Sequence, residues 1–338
     1  MLSRLWLFLA LCFFSTLLRG SPSPYYFNHF QVNRGLSNNA ILCSVQDKDG
    51  FIWFGTRDGL NRFDGYRFKN FFHESENEKS LGSNLVHSLM VRNTNEIWVG
   101  TDQGIYIYDP QREEFSLFDK VYKSETLQIT EDHQGDIWFI SNSSLNKYDP
   151  QTRQVDITYA ERWKEKTHAF CIDHHNEVWI GLKGSICHVT SGKEYIFSDD
   201  KQLRGSVEEL FVDTNNDIWI GTSHNGVYKW DRESGKTKQV IKNIGNKPLY
   251  VRDIEQINEN QLWIATESGL FVHDIKSQHT LHVVHEKDNP WSLSDNAVYT
   301  VLNDNQDGIW VGTFFGGINY YHPQHNLFEK IFPRNSPN

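Results

Sequence analysis

A tryptophan-centred signature repeats seven times along this 338-residue chain. Each copy is a Trp, one further residue and then usually Gly-Thr. The seven tryptophans are Trp53, Trp98, Trp138, Trp179, Trp219, Trp263 and Trp310, separated by 45, 40, 41, 40, 44 and 47 residues. Intervals of this length are typical of a four-stranded propeller blade. Because so small a unit cannot bury its own apolar face, it needs a neighbour on each side, and we predict a closed ring of seven blades.

The first repeat shows how each blade is divided into strands. Four apolar runs cover residues 38–45, 51–56, 60–63 and 66–71, and turns rich in Asp, Asn and Gly separate them. Short runs bounded by such turns are typical of half-buried strands. The same order returns in the last repeat. The predicted fold is therefore all-β, a seven-bladed β-propeller of four-stranded antiparallel blades over residues 22–332.

Glycine at the end of the second strand is predicted to leave room where successive blades come close together. Gly55, Gly100, Gly181, Gly221 and Gly312 hold this position. Ile140 and Ala265 stand there in the other two repeats, which we interpret as irregular blades rather than missing ones.

The two ends of the repeat region predict how the ring closes. Residues 26–30 resemble a fourth strand but precede the first repeat, so we expect them to complete the last blade and to remove its open edge. Residues 328–332 are then a surplus strand. The chain ends where a further repeat is due, and residues 333–338 are interpreted as a linker towards a missing C-terminal part.

An N-terminal targeting segment is predicted at residues 1–21. Arg4 precedes an apolar run over residues 5–18, and residues 19–22 offer a small residue and a proline at a cleavage position. The run is short for a membrane span, so a cleaved signal peptide is favoured over an uncleaved anchor. No later segment has the composition of a membrane span, and the mature chain is predicted to be periplasmic or secreted.

Composition excludes one class of partner. The net charge is −10, from 33 basic and 43 acidic residues, which argues against nucleic-acid binding. Cys43, Cys171 and Cys187 remain after the signal segment, without metal-type spacing. Buried thiols are the favoured interpretation, and a disulfide between Cys171 and Cys187 is left open. No cofactor or metal is predicted.

Two features suggest cofactor or metal chemistry but have a structural interpretation. One tryptophan per blade at a constant position is best explained as a wedge packed between sheets. The turns at residues 47–50 and 304–308 resemble the start of a calcium loop, but Asp58 and Phe315 stand where the bidentate Glu belongs. We interpret both as hairpin turns.

The repeat resembles a known family. Residues 35–39 and 49–65 (GLSNN and DGFIWFGTRDGLNRFDG) are similar to the opening repeat of the two-component regulator propeller family. That resemblance implies the periplasmic sensor region of a hybrid histidine kinase, with two propellers, a β-sandwich, one membrane span and a kinase. Such repeats also precede diguanylate cyclase domains. None of these output parts lies in this chain.

The ligand is expected on one face of the ring. In a propeller, the connections from the second to the third strand, and from the fourth strand to the next blade, emerge on the same face. Polar groups beside exposed aromatics there suit an oligosaccharide. The candidate ligand-binding residues are Arg57, Asp58, Asp102, Gln103, Lys183, His224, Asn225, Glu267, Phe314 and Phe315.

Phe314 and Phe315 depart from the polar residues found in the equivalent turns. They predict either a platform for the ligand or an interface with a second propeller or a second copy of the chain.

Catalysis is not expected in this chain. No repeat inserts a recognisable carboxylate pair, a histidine cluster or a nucleophile elbow. His174 and His175 form a lone pair in a turn, where solvent exposure explains them. The predicted function is a carbohydrate-sensing input module of two-component signalling. The alternatives are the sensor propeller of a diguanylate cyclase and a stand-alone secreted interaction propeller.

Overall fold

Seven four-stranded antiparallel sheets make up the structure, a computed structural model that describes residues 24–162, 167–196, 205–245 and 247–325. Each sheet is one blade, so the predicted seven-bladed β-propeller is confirmed. The predicted signal segment, the surplus strand at 328–332 and the linker at 333–338 lie outside the described residues.

The strands of each blade run from the channel outwards in chain order, except in blade 7. Blades 1 to 3 are β2 (Ile41–Gln46), β3 (Ile52–Thr56), β4 (Leu60–Phe63) and β5 (Phe68–Phe71); β6 (Val86–Val91), β7 (Ile97–Thr101), β8 (Gly104–Asp109) and β9 (Glu114–Leu117); and β10 (Thr126–Glu131), β11 (Ile137–Ser141), β12 (Ser144–Asp149) and β13 (Gln154–Asp156). Blades 4 and 5 are β14 (Phe170–Ile172), β15 (Val178–Leu182), β16 (Ser185–His188) and β17 (Glu194–Ile196); and β18 (Val207–Val212), β19 (Ile218–Thr222), β20 (Val227–Asp231) and β21 (Lys236–Ile241). Blades 6 and 7 are β22 (Val251–Asn258), β23 (Gln261–Thr266), β24 (Gly269–Asp274) and β25 (Thr280–Val283); and β26 (Val298–Asn303), β27 (Ile309–Thr313), β28 (Gly317–Tyr321) and β1 (Asn28–Phe30).

The ring closes through the N-terminal strand, as predicted. β1 pairs antiparallel with β28, with Asn28 opposite Tyr320 and Phe30 opposite Ile318. The Phe30 ring lies 5.9 Å from that of Trp310 in blade 7 and 5.4 Å from that of Phe63 in blade 1. The first and last parts of the chain therefore share one sheet and one core.

The connections between blades contain little regular structure. Helix α1 (Ile157–Arg162) follows β13, and single 3-10 turns occupy Val32–Arg34 and Pro323–His325. Cys171 and Cys187 are buried free thiols, so the disulfide that the sequence left open does not form.

The seven signature tryptophans are wedges between blades, as predicted. All lie on the second strands and are at most 5% exposed. Six of them contact an aromatic ring or imidazole on the third strand of the next blade; for example, Trp53 lies 5.0 Å from Tyr108 and Trp179 lies 4.8 Å from Trp230, centroid to centroid. In the remaining case Val189 takes this position, and Trp138 instead contacts Tyr159 of helix α1 at 4.8 Å.

The glycine at the end of the second strand allows the next blade to approach. A Cβ on Gly55 would lie 2.6 Å from Val86 Cγ1 of blade 2, and one on Gly312 would lie 2.6 Å from Ile41 Cγ2 of blade 1. Such distances are far inside van der Waals contact. The repeats with Ile140 and Ala265 still form complete four-stranded blades, as predicted.

The aspartate-rich turns are hairpin turns with a second structural role. Asp47 Oδ1 accepts hydrogen bonds from the backbone N–H groups of Asp49 and Phe51 at 3.0 and 2.9 Å, and its Oδ2 accepts one from Trp53 Nε1 at 2.7 Å. The same hydrogen bond recurs in four other blades. There the indole N–H donates to the carboxylate of the aspartate six residues earlier: Asp132, Asp173, Asp213 or Asp304. Both carboxylate oxygens are engaged within the fold, which fits the hairpin interpretation.

Candidate functional site

A β-bulge near the start of the inner strand positions the candidate site. In six blades the pairing between the first and second strands skips one residue, for instance between Val251 and Asp253 and between Val298 and Thr300. The skipped residues are Leu42, His87, Leu127, Glu208, Arg252 and Tyr299. A bulge leaves its extra residue out of the hydrogen-bonded ladder and redirects the side chain.

These skipped residues form a ring around one end of the central channel. Each bulged residue lies three positions before the residue that pairs with the signature tryptophan of its blade. Blade 4 has no bulge, and His168 holds the equivalent position there. We call the seven residues the mouth ring: Leu42, His87, Leu127, His168, Glu208, Arg252 and Tyr299. Together with Gln128 and Glu209 they line a cavity of about 230 Å³. This is the face on which the second-to-third-strand connections emerge, the same face on which the sequence analysis expects the ligand.

Stacked aromatic and guanidinium groups cover one side of the mouth. The Arg252 guanidinium carbon lies 4.0 Å from the Tyr250 ring centroid and 4.4 Å from that of Tyr299. The Tyr299 ring lies 4.9 Å from Phe314, and the Arg57 guanidinium lies 5.5 Å from Phe314. These contacts connect blades 6, 7 and 1 in one continuous surface.

Carboxylates hold this surface in place. Glu267 forms an ion pair with Arg252, and the Tyr250 hydroxyl donates a hydrogen bond to Glu208 Oε2 at 2.7 Å. Burial, followed by that bond to Glu208, raises the pKa of Tyr250, so the hydroxyl stays protonated. Arg252 Nε has no hydrogen-bond partner among the described residues.

The opposite side of the mouth carries histidine and leucine. His87 Nε2 lies 3.5 Å from Glu125 Oε1. Burial lowers the pKa of His87, and the attraction of Glu125 and Asp102 only partly offsets this shift. A neutral imidazole beside Leu42 and Leu127 makes this side the less charged half of the ring.

A second space of about 440 Å³, which overlaps the mouth cavity, extends into the channel and is lined by partly exposed acids. Glu209, Asp253 and Glu255 all line it. Burial raises the pKa of Asp253 to about 6, and burial together with repulsion from Asp253 raises that of Glu255 to about 8. The same two causes raise the pKa of Glu209 well above its usual range.

Three of the predicted site residues come together at the mouth. Arg57, Glu267 and Phe314 belong to the stacked surface described above. Two others have roles within the fold: Asp58 accepts a hydrogen bond from Asn84 Nδ2 at 2.9 Å, and Asn225 is only 4% exposed. Asp102 lies near His87, while Gln103, Lys183, His224 and Phe315 are exposed on the same face of the ring.

Sequence reasoning missed the inner-strand residues that form the mouth. Glu208, Tyr250, Arg252 and Tyr299 were all absent from the predicted set. A signal was present in the repeat: in four blades a Val that opens the inner strand is followed by His87, Glu208, Arg252 or Tyr299. A residue type that changes so freely beside a constant Val indicates a position that the fold does not constrain.

In the ranges that the structure describes, no group of three or more His, Cys, Asp or Glu side chains could hold a metal ion. His174 and His175 are exposed, as predicted, in the turn after β14 on the opposite face.

Comparisons with known proteins agree with the repeat and the fold. The sequence profile of the family described as "two component regulator propeller" matches residues 35–58 and 292–315. A histidine kinase, P4, of Formosa agariphila is 39% identical over 69 residues, which is 20% of this chain and 5% of that protein.

Two similar solved structures are extracellular domains from B. thetaiotaomicron. The domain of the proposed hybrid two component system BT3049 superposes with a TM-score of 0.76 at 26% identity, covering 88% of this chain and 42% of that one. The domain of the proposed hybrid two component system BT4673 gives 0.75 at 21% identity, covering 88% and 39%, and at that identity shows the fold alone. This chain spans about two fifths of the length of each solved domain.

Within the described ranges, no helix has the length and apolar character that crossing a bilayer requires. The two matched repeats lie in blade 1 and blade 7, which the N-terminal strand joins. The predicted resemblance is confirmed: the chain is a seven-bladed β-propeller, and two of its repeats, in blades 1 and 7, match the two component regulator propeller family.

Proposed function

We propose that this chain is the ligand-sensing input module of a two-component signalling protein and that its ligand is a carbohydrate bound at the mouth ring. The similarity to an extracellular domain of a proposed hybrid two component system supports the sensing role. The same similarity supports export, with residues 1–21 as a cleaved signal peptide. N-terminal sequencing of the exported protein tests that cleavage, and a retained Arg4 contradicts it.

The observation that carries the proposal is the mouth ring itself. The seven blades place chemically different side chains at one equivalent position, although their tryptophans, glycines and turn aspartates are nearly uniform. Positions that only maintain a repeat are uniform, because every blade faces the same packing problem. Diversity at the bulge therefore supports recognition of a ligand that has no sevenfold symmetry.

A carbohydrate suits this surface chemically. Tyr250, Tyr299 and Phe314 present ring faces and edges on which the apolar face of a sugar can pack. Arg252 and Glu208 offer donors and acceptors to hydroxyl groups within the same cavity of about 230 Å³. Sites of this kind, apolar surface with a few fixed polar groups, are typical of small-ligand pockets.

The output part of the protein is proposed to follow residue 338. A histidine kinase shares 69 aligned residues with this chain at 39% identity, and this supports a kinase rather than another output. Reading the gene past the codon for Asn338 tests the proposal. Further propeller repeats, a membrane span and a kinase are expected, whereas a cyclase or a stop codon there favours one of the two alternative functions.

Binding at the mouth is tested with the purified chain and a panel of oligosaccharides, by thermal shift and then by calorimetry. Tyr299→Ala and Arg252→Ala should each weaken the binding of any hit by about tenfold or more. The control variants are Tyr66→Ala and Arg67→Ala, which change the same residue types in an exposed turn on the opposite face. If the mouth variants and the control variants lose the same affinity, or if neither pair loses any, the ligand does not bind at the mouth.

A further inference from the structure

Exposed apolar side chains are concentrated on the mouth face of the ring. Seven large hydrophobic residues are exposed in the ranges that the structure describes, and one of them, Tyr66, lies in a turn on the opposite face. The other six lie in or beside the connections that emerge around the mouth, and we call them the rim residues: Val32, Phe72, Val121, Ile196, Ile244 and Phe315. Single exposed apolar residues are common on soluble proteins, but a set restricted to one face is typical of an interaction surface.

The chemistry of the rim residues favours a protein partner over the sugar ligand. Four of the six are branched aliphatic residues, which have no ring on which a sugar can stack. All six lie outside the set of residues that line the mouth cavity. Burying such side chains against apolar groups of another protein is favourable, because it removes them from water.

The order of the blades determines which connections meet if two copies dock mouth to mouth. A closed dimer is generated by a two-fold axis, so the same surface is used by both copies. When that axis passes through blade 7 of each copy, blade 7 faces blade 7, blade 1 faces blade 6, blade 2 faces blade 5 and blade 3 faces blade 4. The connection between blades 1 and 2 then meets the partner's connection between blades 5 and 6.

This arrangement places apolar rim residues opposite one another. Phe72, which follows the last strand of blade 1, faces the partner's Ile244, which follows the last strand of blade 5. Val121, which follows blade 2, faces the partner's Ile196 at the end of blade 4. Phe315 of blade 7 lies near the axis and faces its own counterpart. Five of the six rim residues are matched in this way.

Opposite charges meet about the same axis. The connection between blades 1 and 2 carries three exposed glutamates, Glu74, Glu76 and Glu78, and one lysine. The connection between blades 5 and 6 carries Lys242 and Lys247, both exposed, and its sequence contains no acid. Neither lysine forms an ion pair with any residue that the structure describes. Because the axis repeats each contact, the dimer brings these two connections together twice.

The last rim residue, Val32, belongs to a second pair of connections with opposite charge. Its connection, between blades 7 and 1, has Arg34 as its single charged residue. About the same axis it meets the partner's connection between blades 6 and 7. There Glu286, Asp288 and Asp295 outnumber one lysine. Complementary charge of this kind selects the partner and fixes its orientation.

We propose that the mouth face is a homodimer interface, on which a second copy of this chain docks face to face about a two-fold axis through blade 7. This proposal goes beyond ligand sensing and does not depend on which ligand is sensed. The two channels become coaxial in the dimer, and the two mouth cavities open towards each other. A ligand at one mouth then lies between the two copies.

The decisive measurement is a charge swap, followed by sedimentation equilibrium of the purified chain without ligand. Lys242→Glu/Lys247→Glu and Glu76→Lys/Glu78→Lys should each weaken dimerisation by tenfold or more, because like charges then meet in the dimer of each variant. An equimolar mixture of the two variants should recover the wild-type affinity, since every opposed pair again differs in sign. A wild-type chain that stays monomeric up to about 1 mM overturns the proposal, and so does a mixture that recovers nothing.

A matched control separates the interface from the overall charge. Lys236→Glu/Lys276→Glu makes the same change of charge at exposed positions on blades 5 and 6, but on the face opposite the mouth. We expect this variant to dimerise like the wild type. A tenfold loss in the control would assign the effect to net charge and contradict the proposed interface.

Cysteine cross-linking tests which residues face each other. Phe72→Cys and Ile244→Cys, mixed and mildly oxidised, should form a disulfide-linked heterodimer, whereas each variant alone should cross-link at least tenfold more slowly. Phe315→Cys should cross-link to its own counterpart. Tyr66→Cys, exposed on the opposite face, is the control. A dimer without these cross-links, or one that Tyr66→Cys cross-links equally fast, contradicts the mouth-to-mouth arrangement. Because no ligand is present, carbohydrate sensing is tested separately from this proposal.

Discussion

Arg92 stands where five other blades place an aspartate, and Trp98 Nε1 consequently has no hydrogen-bond partner among the described residues. Arg92 is six residues before Trp98, and it closes the same hairpin turn with a backbone bond to Glu96 at 2.9 Å. Its side chain turns away to Glu131 and Glu96. The turn and the indole bond are thus separable, and the two contributions to stability are separately measurable.

A matched pair of substitutions measures the indole bond. Trp138→Phe removes the hydrogen bond from Nε1 to Asp132 Oδ2 at 2.9 Å. Trp98→Phe replaces an equally buried indole that has no such bond. We expect Trp138→Phe to lower the free energy of unfolding by about 1–2 kcal/mol more than Trp98→Phe, because a buried carboxylate is left with an unmatched oxygen. Denaturant unfolding of both variants measures the difference. Equal losses would show that the bond adds nothing.

The two neighbouring phenylalanines of blade 7 should differ in function. Phe314 contacts Tyr299 and Arg57 at the mouth, while Phe315 is 71% exposed. Phe314→Ala should weaken ligand binding by about tenfold, and Phe315→Ala by less than twofold. Calorimetry with the hit from the sugar panel measures both.

The exposed ring of Phe315 also has a test of its own. Any effect of Phe315→Ala on the oligomeric state, followed by light scattering, would support the interface predicted from the sequence. A loss of ligand affinity equal to that of Phe314→Ala would instead make both rings part of one platform.

Stability should fall as pH rises through the range in which Glu255 loses its proton. The pKa of Glu255 is raised to about 8 in the folded chain from an ordinary value of 4.5, so between these values the folded state binds a proton that the unfolded state has released. The free energy of unfolding therefore decreases as pH increases. Glu255→Gln removes this dependence, and we expect it to raise the melting temperature at pH 8 while changing it little at pH 5. A variant with the same melting temperature as the wild type at pH 8 would contradict the assignment.

Ring closure depends on a strand of three residues. Phe30 packs against Trp310 of blade 7 and against Phe63 of blade 1. Phe30→Ala should lower the free energy of unfolding by about 2–4 kcal/mol, since it removes an aromatic ring from both blades at once. His29→Ala is a control on the same strand that retains the backbone pairing. If the two variants are equally stable, the backbone hydrogen bonds between β1 and β28 alone hold the ring closed.

The fold was accessible from sequence because its determinants recur. Trp53 and its six counterparts mark the same strand in every blade, and Gly55 and its counterparts mark where that strand ends, so each repeat confirms the others. The closing strand was also accessible, since Phe27 and Phe30 match the apolar pattern of a fourth strand while no first repeat precedes them.

The site was accessible only in part, because its residues do not recur. Arg57 and Phe314 lie in connections whose face follows from the topology alone. Arg252 and Tyr299 lie inside strands, where strict alternation assigns a side chain to one sheet face or the other. A bulge breaks that alternation, and in a single repeat nothing marks it; only comparison of the blades shows a constant Val beside a variable residue. The carboxyl cluster on blades 5 and 6 likewise depends on which blades are neighbours in the ring.

The bulge has a consequence for how such propellers diversify. A bulged residue pairs with nothing in the ladder, so replacing it leaves the strand register and the wedge between blades unchanged. The six bulged positions can then be altered one at a time, by single codon changes, while the ladder of each blade stays in register. A new specificity can arise in this fold without an intermediate that fails to fold, and the same positions are the natural choice for a library of engineered receptors.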